Sequence, residues 1–91
     1  MSRLSGFLYR ETIDWPNVPD QSDAAVTVTI PGVKKGDMVL FAPQASFAGM
    51  VFSAEASAED TVLVQLINNS GGAINRPAFE AVFKIVPIDA L

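Results

Sequence analysis

The sequence predicts an all-β domain, a small antiparallel β-sandwich or barrel preceded by an extended N-terminal arm. Five short apolar runs are separated by turn residues at near-regular spacing, which is typical of antiparallel sandwiches and small barrels. No stretch shows a sustained period of 3.6 residues, so little helix is expected. The 91 residues suffice for one domain.

The first two strands are predicted on either side of a polar turn. Residues 25–30 alternate strictly between apolar side chains and threonine or alanine, the pattern of a half-buried strand. Pro31 and Gly32 end this run. A polar connection at residues 34–37 then leads to the second apolar run at residues 38–42.

Alternation divides each of the three later runs into two opposite faces. Their apolar side chains recur at every second position, as they do in a strand with one buried face. Glu80 and Lys84 are expected to point to solvent. Met50, Phe52, Ala54 and Ala56 share one face of the first of these runs, and Val62, Val64 and Leu66 share one face of the second. The predicted core face of the last strand is Phe79, Ala81, Phe83 and Ile85.

The first 23 residues depart from this regular pattern. Residues 7–13 could form a strand, but Pro16 and Pro19 follow. Each proline disfavours a helix and moves the preceding residue toward an extended conformation. We therefore divide the chain into an extended N-terminal arm at residues 1–23 and a β-sandwich domain at residues 24–91. Because the arm is apolar, we expect it to dock on its own domain or on a neighbour.

The arm carries side chains suited to binding a partner. Tyr9 and Trp15 are of the types that anchor protein interfaces, since they bury a large area at a small entropic cost. Exposed aromatic side chains on a β-domain can also stack on a sugar ring. An extended arm with a tryptophan next to a proline favours a protein partner instead. The predicted partner-binding residues are Phe7, Tyr9, Trp15 and Val18.

The composition bounds the class of partner. Charged residues make up only 18% of the chain and apolar residues 49%, and depletion of charge is a mark of covered surface. Small domains without disulfides or metals often gain burial from neighbouring subunits, so we expect a homo-oligomer. The net charge of −4 and the scattered basic residues argue against direct binding of nucleic acid.

The chain shows no targeting or membrane signal. Its first residues lack the apolar stretch of a signal peptide, and no apolar run approaches the ~20 residues of a membrane-spanning helix. We therefore expect synthesis in the cytoplasm and no membrane partner.

Catalysis is disfavoured by the residue types. The chain has no histidine and no cysteine, which removes the commonest general base, the Ser-His-Asp and Cys-His arrangements and the usual zinc ligands. A Ser-Lys or carboxylate pair remains conceivable. Glu55, Glu59 and Asp60 could form an acid pair or bind Ca²⁺, but their spacing is not that of a calcium loop, and a solvated turn is favoured. We predict a protein that is not an enzyme, with no catalytic residues, metal site or cofactor.

Two loops contain residues found in binding motifs. Lys34 and Lys35 precede a Gly-Asp turn and could contact phosphate, but lysines there usually keep a hairpin soluble. Residues 68–70 fit the glycosylation sequon, and two glycines follow them. The spacing is not that of a phosphate-binding loop, so we interpret residues 68–72 as a flexible loop.

The order of several phrases in residues 26–86 is informative. VTVTIPGV is followed by GDMVL, GMVFSA and SAEDTVLVQLIN, and then by a final strand with aromatic residues. This order resembles small virion domains of tailed bacteriophages, found in capsid decoration (cement) proteins, head fibres and related tail modules. The phrases encode strands and turns, and they cover about two thirds of the chain.

The resemblance implies a structural virion protein. Such a domain would be a β-sandwich, commonly a homotrimer, located on the capsid surface, where it binds the major capsid protein and stabilises the assembled shell by mass action. The family has no catalytic residues to carry over. The extended arm has no counterpart in the family pattern, but it suits capsid binding or exchange between subunits.

Two alternatives remain open at this point. One is a carbohydrate- or receptor-binding tip module of a phage fibre. The other is a head–tail joining protein present in few copies per particle.

Overall fold

The described part of the chain is all-β, as the sequence predicts. The structure is a computed structural model that describes residues 6–15, 17–44, 49–73 and 78–90. Among these residues, no helix is long and apolar enough to cross a membrane. The elements are β1 (Phe7–Ile13), β2 (Asp23–Thr29), β3 (Met38–Pro43), β4 (Met50–Ala58), β5 (Thr61–Asn68), β6 (Phe79–Val86) and a 3-10 helix at Ile88–Ala90.

Two three-stranded antiparallel sheets pack together as a small β-sandwich. Sheet I has the order β1-β6-β3, and sheet II has the order β2-β5-β4. On one side of the sandwich, β3 and β4 lie against each other. On the other side, β1 and β2 form opposite walls of a cleft. The sandwich therefore has one closed seam and one open seam.

The predicted core face of the last strand is confirmed, and the buried face of β5 is the one that carries Val62, Val64 and Leu66. Val62, Val64, Phe83 and Ile85 are completely buried, whereas Glu80 on the opposite side of β6 is exposed. The cause is the two-residue period of a strand, which sends alternate side chains to opposite faces. Phe41 of sheet I and Phe52 of sheet II pack with ring centroids 5.4 Å apart, so the core joins the two sheets through aromatic as well as branched side chains.

The described part of the N-terminal segment belongs to the sandwich. β1 pairs with β6 along its whole length, from Phe7 opposite Ile85 to Ile13 opposite Phe79. The expected extended conformation is present as an edge strand and a loop, and of the two expected docking partners the described segment contacts its own domain. Pairing with β6 supplies hydrogen-bond partners that an isolated extended segment would have to find in water. Residues 6–15 and 17–23 are thus part of the same unit as the strands that follow.

One end of the sandwich is organised by Asn68, the last residue of β5, which is completely buried. Its Nδ2 donates to the carbonyl oxygens of Val18 (3.0 Å), Pro19 (3.2 Å) and Gly72 (2.9 Å). Its Oδ1 accepts hydrogen bonds from the backbone N–H and the hydroxyl of Ser70, at 3.0 and 2.7 Å. One side chain therefore fastens both the loop before β2 and the loop after β5. The sequon at residues 68–70 has its asparagine in the core.

The opposite end is organised by Asp37, which is also buried. Its carboxylate accepts the backbone N–H of Lys34 and that of Ile88, both at 2.9 Å. The polar connection predicted between the first two runs is thereby tied to the 3-10 helix after β6. β1 begins and β6 ends at this same end, since Phe7 lies opposite Ile85.

Candidate functional site

The outward side of sheet I is the most apolar exposed surface of the described residues. Leu8 on β1 is 66% exposed, Leu40 on β3 is 56% exposed and Met38 is 46% exposed. We call this surface the apolar face. It consists of Leu8, Met38, Leu40, Ala42, Val82, Lys84 and Val86.

The strand register places these side chains in rows across the sheet. Leu8, Lys84 and Leu40 lie opposite one another on the three strands. Lys84 is half-buried, because a lysine stem can lie along apolar neighbours while its ammonium group reaches water. The apolar face therefore carries a positive charge at its centre, between two leucines.

Polar residues bound the apolar face at one end. Arg10 donates to Glu80 at 2.8 Å, and both side chains are largely exposed. An exposed ion pair of this kind contributes only about 0–1 kcal/mol to stability. At the other end, Ile88 extends the apolar surface beyond β6 and is 49% exposed. The two ends of the face thus differ in chemistry, which would give a bound partner a defined direction.

The outward side of sheet II is more polar. Thr27, Gln65 and Ser53 are exposed along its three strands, together with Glu55 on β4. Its exposed large apolar residues are confined to Val51 and Ile67 among those described; these lie opposite each other at one end. We call this surface the polar face. The polar face can remain in contact with water. The apolar face is the candidate binding surface, because large apolar patches on soluble domains mark interaction sites.

The four residues predicted to bind a partner lie elsewhere. Phe7 and Tyr9 are half-buried on the inward side of β1. Trp15 is 7% exposed and Val18 is 1% exposed, both within the hydrophobic core. Trp15 packs edge-on against Phe52, with ring centroids 6.2 Å apart.

In this fold Trp15 and Val18 are core residues and Phe7 and Tyr9 face the core from β1, which disfavours the four as contacts for a partner. Trp15 and Val18 stabilise the sandwich and present almost no surface to another molecule in this fold. The indole Nε1 of Trp15 is buried and has no hydrogen-bond partner among the described residues. The residues of the apolar face were not singled out from the sequence. Their signal was available, since Leu8, Leu40 and Val82 are apolar at positions that alternate with core residues.

The acidic residues considered as an acid pair or calcium site have separate positions. Glu55 is exposed on β4, while Asp60 lies in the turn before β5 and accepts the backbone N–H of Gly32 at 2.9 Å. The backbone N–H of Asp60 donates to Val33 at 2.8 Å, and its carbonyl accepts from Ile30 at 2.9 Å. In the described part of the chain, no three Asp, Glu, His or Cys residues cluster as metal ligands would. Asp60 holds the loop after β2.

A second surface feature is the cleft of the open seam, which has a volume of about 480 Å³. Its walls come from the edge strands of the two sheets and the residues that follow them. The lining residues are Tyr9, Glu11, Thr12, Ile13, Asp14, Val26, Thr27, Val28, Thr29 and Pro31.

Glu11 gives the cleft a hydrogen-bonded carboxylate. The Tyr9 hydroxyl donates to Oε2 of Glu11 at 3.2 Å. This hydrogen bond to Glu11, with smaller contributions from desolvation and from the negative charge of Glu11, raises the pKa of Tyr9 above its ordinary value.

No protein-family model, curated protein or solved structure matches this chain. The residues and their geometry therefore carry the functional argument.

Proposed function

We propose that the protein is a structural virion protein that binds the outside of an assembled bacteriophage capsid and stabilises the shell without catalysis. The single observation that supports a binding role most directly is the apolar face, where Leu8, Met38 and Leu40 are about half exposed or more. The resemblance of residues 26–86 to phage decoration domains supports the choice of partner, the major capsid protein.

The size of the apolar face suits binding to an assembly. Three strands about 4.8 Å apart and about 24 Å long give a footprint of roughly 340 Å². Two such surfaces in contact bury about 700 Å², less than the roughly 1,200–2,000 Å² of a stable pairwise interface. Contact through this face alone would be weak. A homotrimer presenting three faces to a repeating shell would bind more tightly through its raised effective concentration.

The buried position of Trp15 disfavours the carbohydrate-binding alternative. A sugar ring stacks on an exposed aromatic face, and Trp15 is 7% exposed. Tyr9 is half-buried beside Glu11. The two aromatic residues that suggested a sugar platform therefore lie in the sandwich, and the apolar face favours a protein surface as the partner.

The test is co-sedimentation of the purified protein with expanded, DNA-free heads of its phage. Leu8→Glu with Leu40→Glu places two charges on the apolar face. Since burial of each leucine contributes about 1.5–3 kcal/mol, we expect the affinity to fall at least about hundredfold. The matched control is Gln65→Glu with Ser53→Glu, which adds the same charge to the polar face outside the cleft and should leave binding unchanged.

Two results would contradict the proposal. Equal loss of binding in both double variants, with folding preserved by circular dichroism, would mean that added charge and not the apolar face matters. A copy number in the virion that matches a single vertex would instead assign the protein to the head–tail joint. A copy number that scales with the capsomers supports the decoration function.

A further inference from the structure

The open seam of the sandwich presents two strand edges to solvent. Within the described residues, β1 pairs with β6 and β2 pairs with β5, so each is the edge of its sheet. Four consecutive residues of β2, from Val26 to Thr29, line the cleft. Side chains of consecutive residues point in opposite directions, so the cleft runs along the edge of β2 and not over one of its faces.

β2 lacks the usual protection of an edge strand. Exposed edges are commonly blocked by lysine, proline or a bulge, because their free N–H and C=O groups can pair with another strand. Residues 24–29 contain no charge and no proline, and they are rich in valine and threonine. By contrast, β3 ends in Pro43 and lies against β4. The backbone of β2 is thus suited to accept an added strand.

The opposite wall supplies negative charge. Glu11 lies on the inward side of β1, and Asp14 follows the strand. Both line the cleft, and none of the described lining residues is positively charged. The Tyr9 hydroxyl donates a hydrogen bond to Glu11, and both residues line the cleft. A positively charged side chain would complement this wall.

We propose that the cleft binds an extended, basic segment of another protein as an added strand on β2, with a lysine or arginine of that segment facing Glu11. In this mode of recognition the backbone hydrogen bonds provide affinity and the alternate side chains provide specificity. The proposal does not depend on the identity of the assembly or on the apolar face.

The dimensions of the cleft limit the length of the segment. The β1 wall runs from Tyr9 to Asp14, about 20 Å at ~3.4 Å per residue. The volume of about 480 Å³ lies in the usual range of ligand sites. One strand of about six residues matches this length, so the partner contributes a short extended segment.

The experiment is titration of the isotopically labelled protein with blocked heptapeptides in which lysine and valine alternate, followed by nuclear magnetic resonance. We expect shifts at the amides of residues 24–29 and 9–14. A peptide of the same sequence with alternate backbone nitrogens methylated keeps every charge but cannot pair with β2, and it should bind at least tenfold more weakly. A glutamate–valine peptide should not bind.

Protein variants separate charge recognition from general attraction. Glu11→Gln with Asp14→Asn should lower the affinity for the lysine–valine peptide about tenfold and make that affinity less dependent on salt concentration. Glu55→Gln with Glu59→Gln removes two exposed carboxylates outside the cleft and should leave the affinity unchanged.

Three results would overturn the proposal. One is equal binding of the methylated and unmethylated peptides, and another is shifts confined to the apolar face. The third is no binding at millimolar peptide together with self-association of a Glu11→Val variant. That last result would mean that Glu11 prevents self-association at the strand edge and does not bind a partner.

Discussion

The two ends of the sandwich are each organised by one buried polar side chain, but the two side chains work differently. Asn68 uses its amide as donor and acceptor at once, bonding three carbonyls and one serine. Asp37 offers only acceptors, and it receives backbone N–H groups from Lys34 and Ile88. These are the two buried polar residues among those described.

The difference follows from what the surrounding loops present. Around Asn68, the loop before β2 turns its carbonyls inward, so the residue there must donate. Around Asp37, the chain turns N–H groups inward, so an acceptor with two oxygens suffices. A buried polar group stabilises a fold only when its donors face acceptors and its acceptors face donors. Each buried group left without a hydrogen bond lowers the free energy of unfolding by about 1–3 kcal/mol. One end therefore needs a side chain that donates hydrogen bonds, and the other needs a side chain that accepts them.

The variant Asn68→Asp tests most directly whether this end of the sandwich needs a hydrogen-bond donor at position 68. The variant keeps the shape but removes the donor and places a carboxylate against the carbonyls of Val18, Pro19 and Gly72. We expect the free energy of unfolding to fall by about 4 kcal/mol, measured by urea denaturation. Asn69→Asp, an exposed neighbour, is the control and should change it by less than about 0.5 kcal/mol. Equal effects would mean that Asn68 is not the fastening residue.

The reciprocal change at the other end is Asp37→Asn. The amide leaves one oxygen as an acceptor and turns its NH₂ group toward a backbone N–H, so we expect a loss of about 2 kcal/mol in the same assay. Glu55→Gln, which neutralises an exposed carboxylate on β4, is the matched control. A neutral outcome at position 37 would show that the end needs the side chain's shape and not its two acceptor oxygens.

A third variant asks whether the Asp37 end depends on a second carboxylate. Asp60 has a φ of 55° and accepts the N–H of Gly32. Asp60→Ala removes the acceptor and puts an alanine in the left-handed region, which costs about 1–2 kcal/mol. Asp60→Asn keeps an acceptor and tolerates that conformation, so its unfolding midpoint should stay near that of the parent protein. If both variants unfold alike, the hydrogen bond to Gly32 contributes nothing.

The smallest expected effect lies on β1, between the two ends. Tyr9 is the single tyrosine of the chain, so its absorbance titration is unambiguous. Glu11 raises its pKa above the ordinary 10.0. The stability that Tyr9 contributes is therefore fully present below pH 10 and is lost as the pH rises through the folded-state pKa.

Glu11→Gln tests the cause of this shift. It should move the titration of Tyr9 back toward 10.0, because it removes the negative charge and the carboxylate acceptor. Neither end of the sandwich should change in stability at neutral pH. An unchanged titration curve would exclude Glu11 as the source of the raised pKa.

Much of the fold is encoded in local alternation. The period of two places Val62, Val64 and Leu66 on one face of β5, and in the structure this face is buried. One further step of the same period reaches Asn68, which is buried for the same geometric reason. Its neighbours Asn69 and Ser70 give the stretch the composition of an exposed turn. The sequence therefore does not indicate that Asn68 is buried and bonds two loops.

The role of the N-terminal residues depends on distant pairing. β1 finds its partner β6 more than sixty residues away, with Ile13 opposite Phe79, and no local pattern encodes that choice. Alternation from Phe7 through Tyr9 and Ile13 continues to Trp15, which favours one inward face for the whole segment. Of the two prolines that suggested a separate arm, Pro19 lies in the segment between β1 and β2, and Pro16 lies outside the described residues. For the apolar face, alternation marks Leu8, Leu40 and Val82 one by one, but their meeting on one surface depends on the alignment of three distant strands.

The shared end of β1 and β6 has a consequence for any longer chain that contains this domain. Phe7 lies opposite Ile85, so the polypeptide enters and leaves the sandwich at the same end, as it does in many domains that tolerate insertion. The domain could be grafted into a surface loop of an unrelated host protein without stretching either connection. Its original ends could also be joined by a short linker and new ones opened elsewhere, which would yield a circular permutant with the same core.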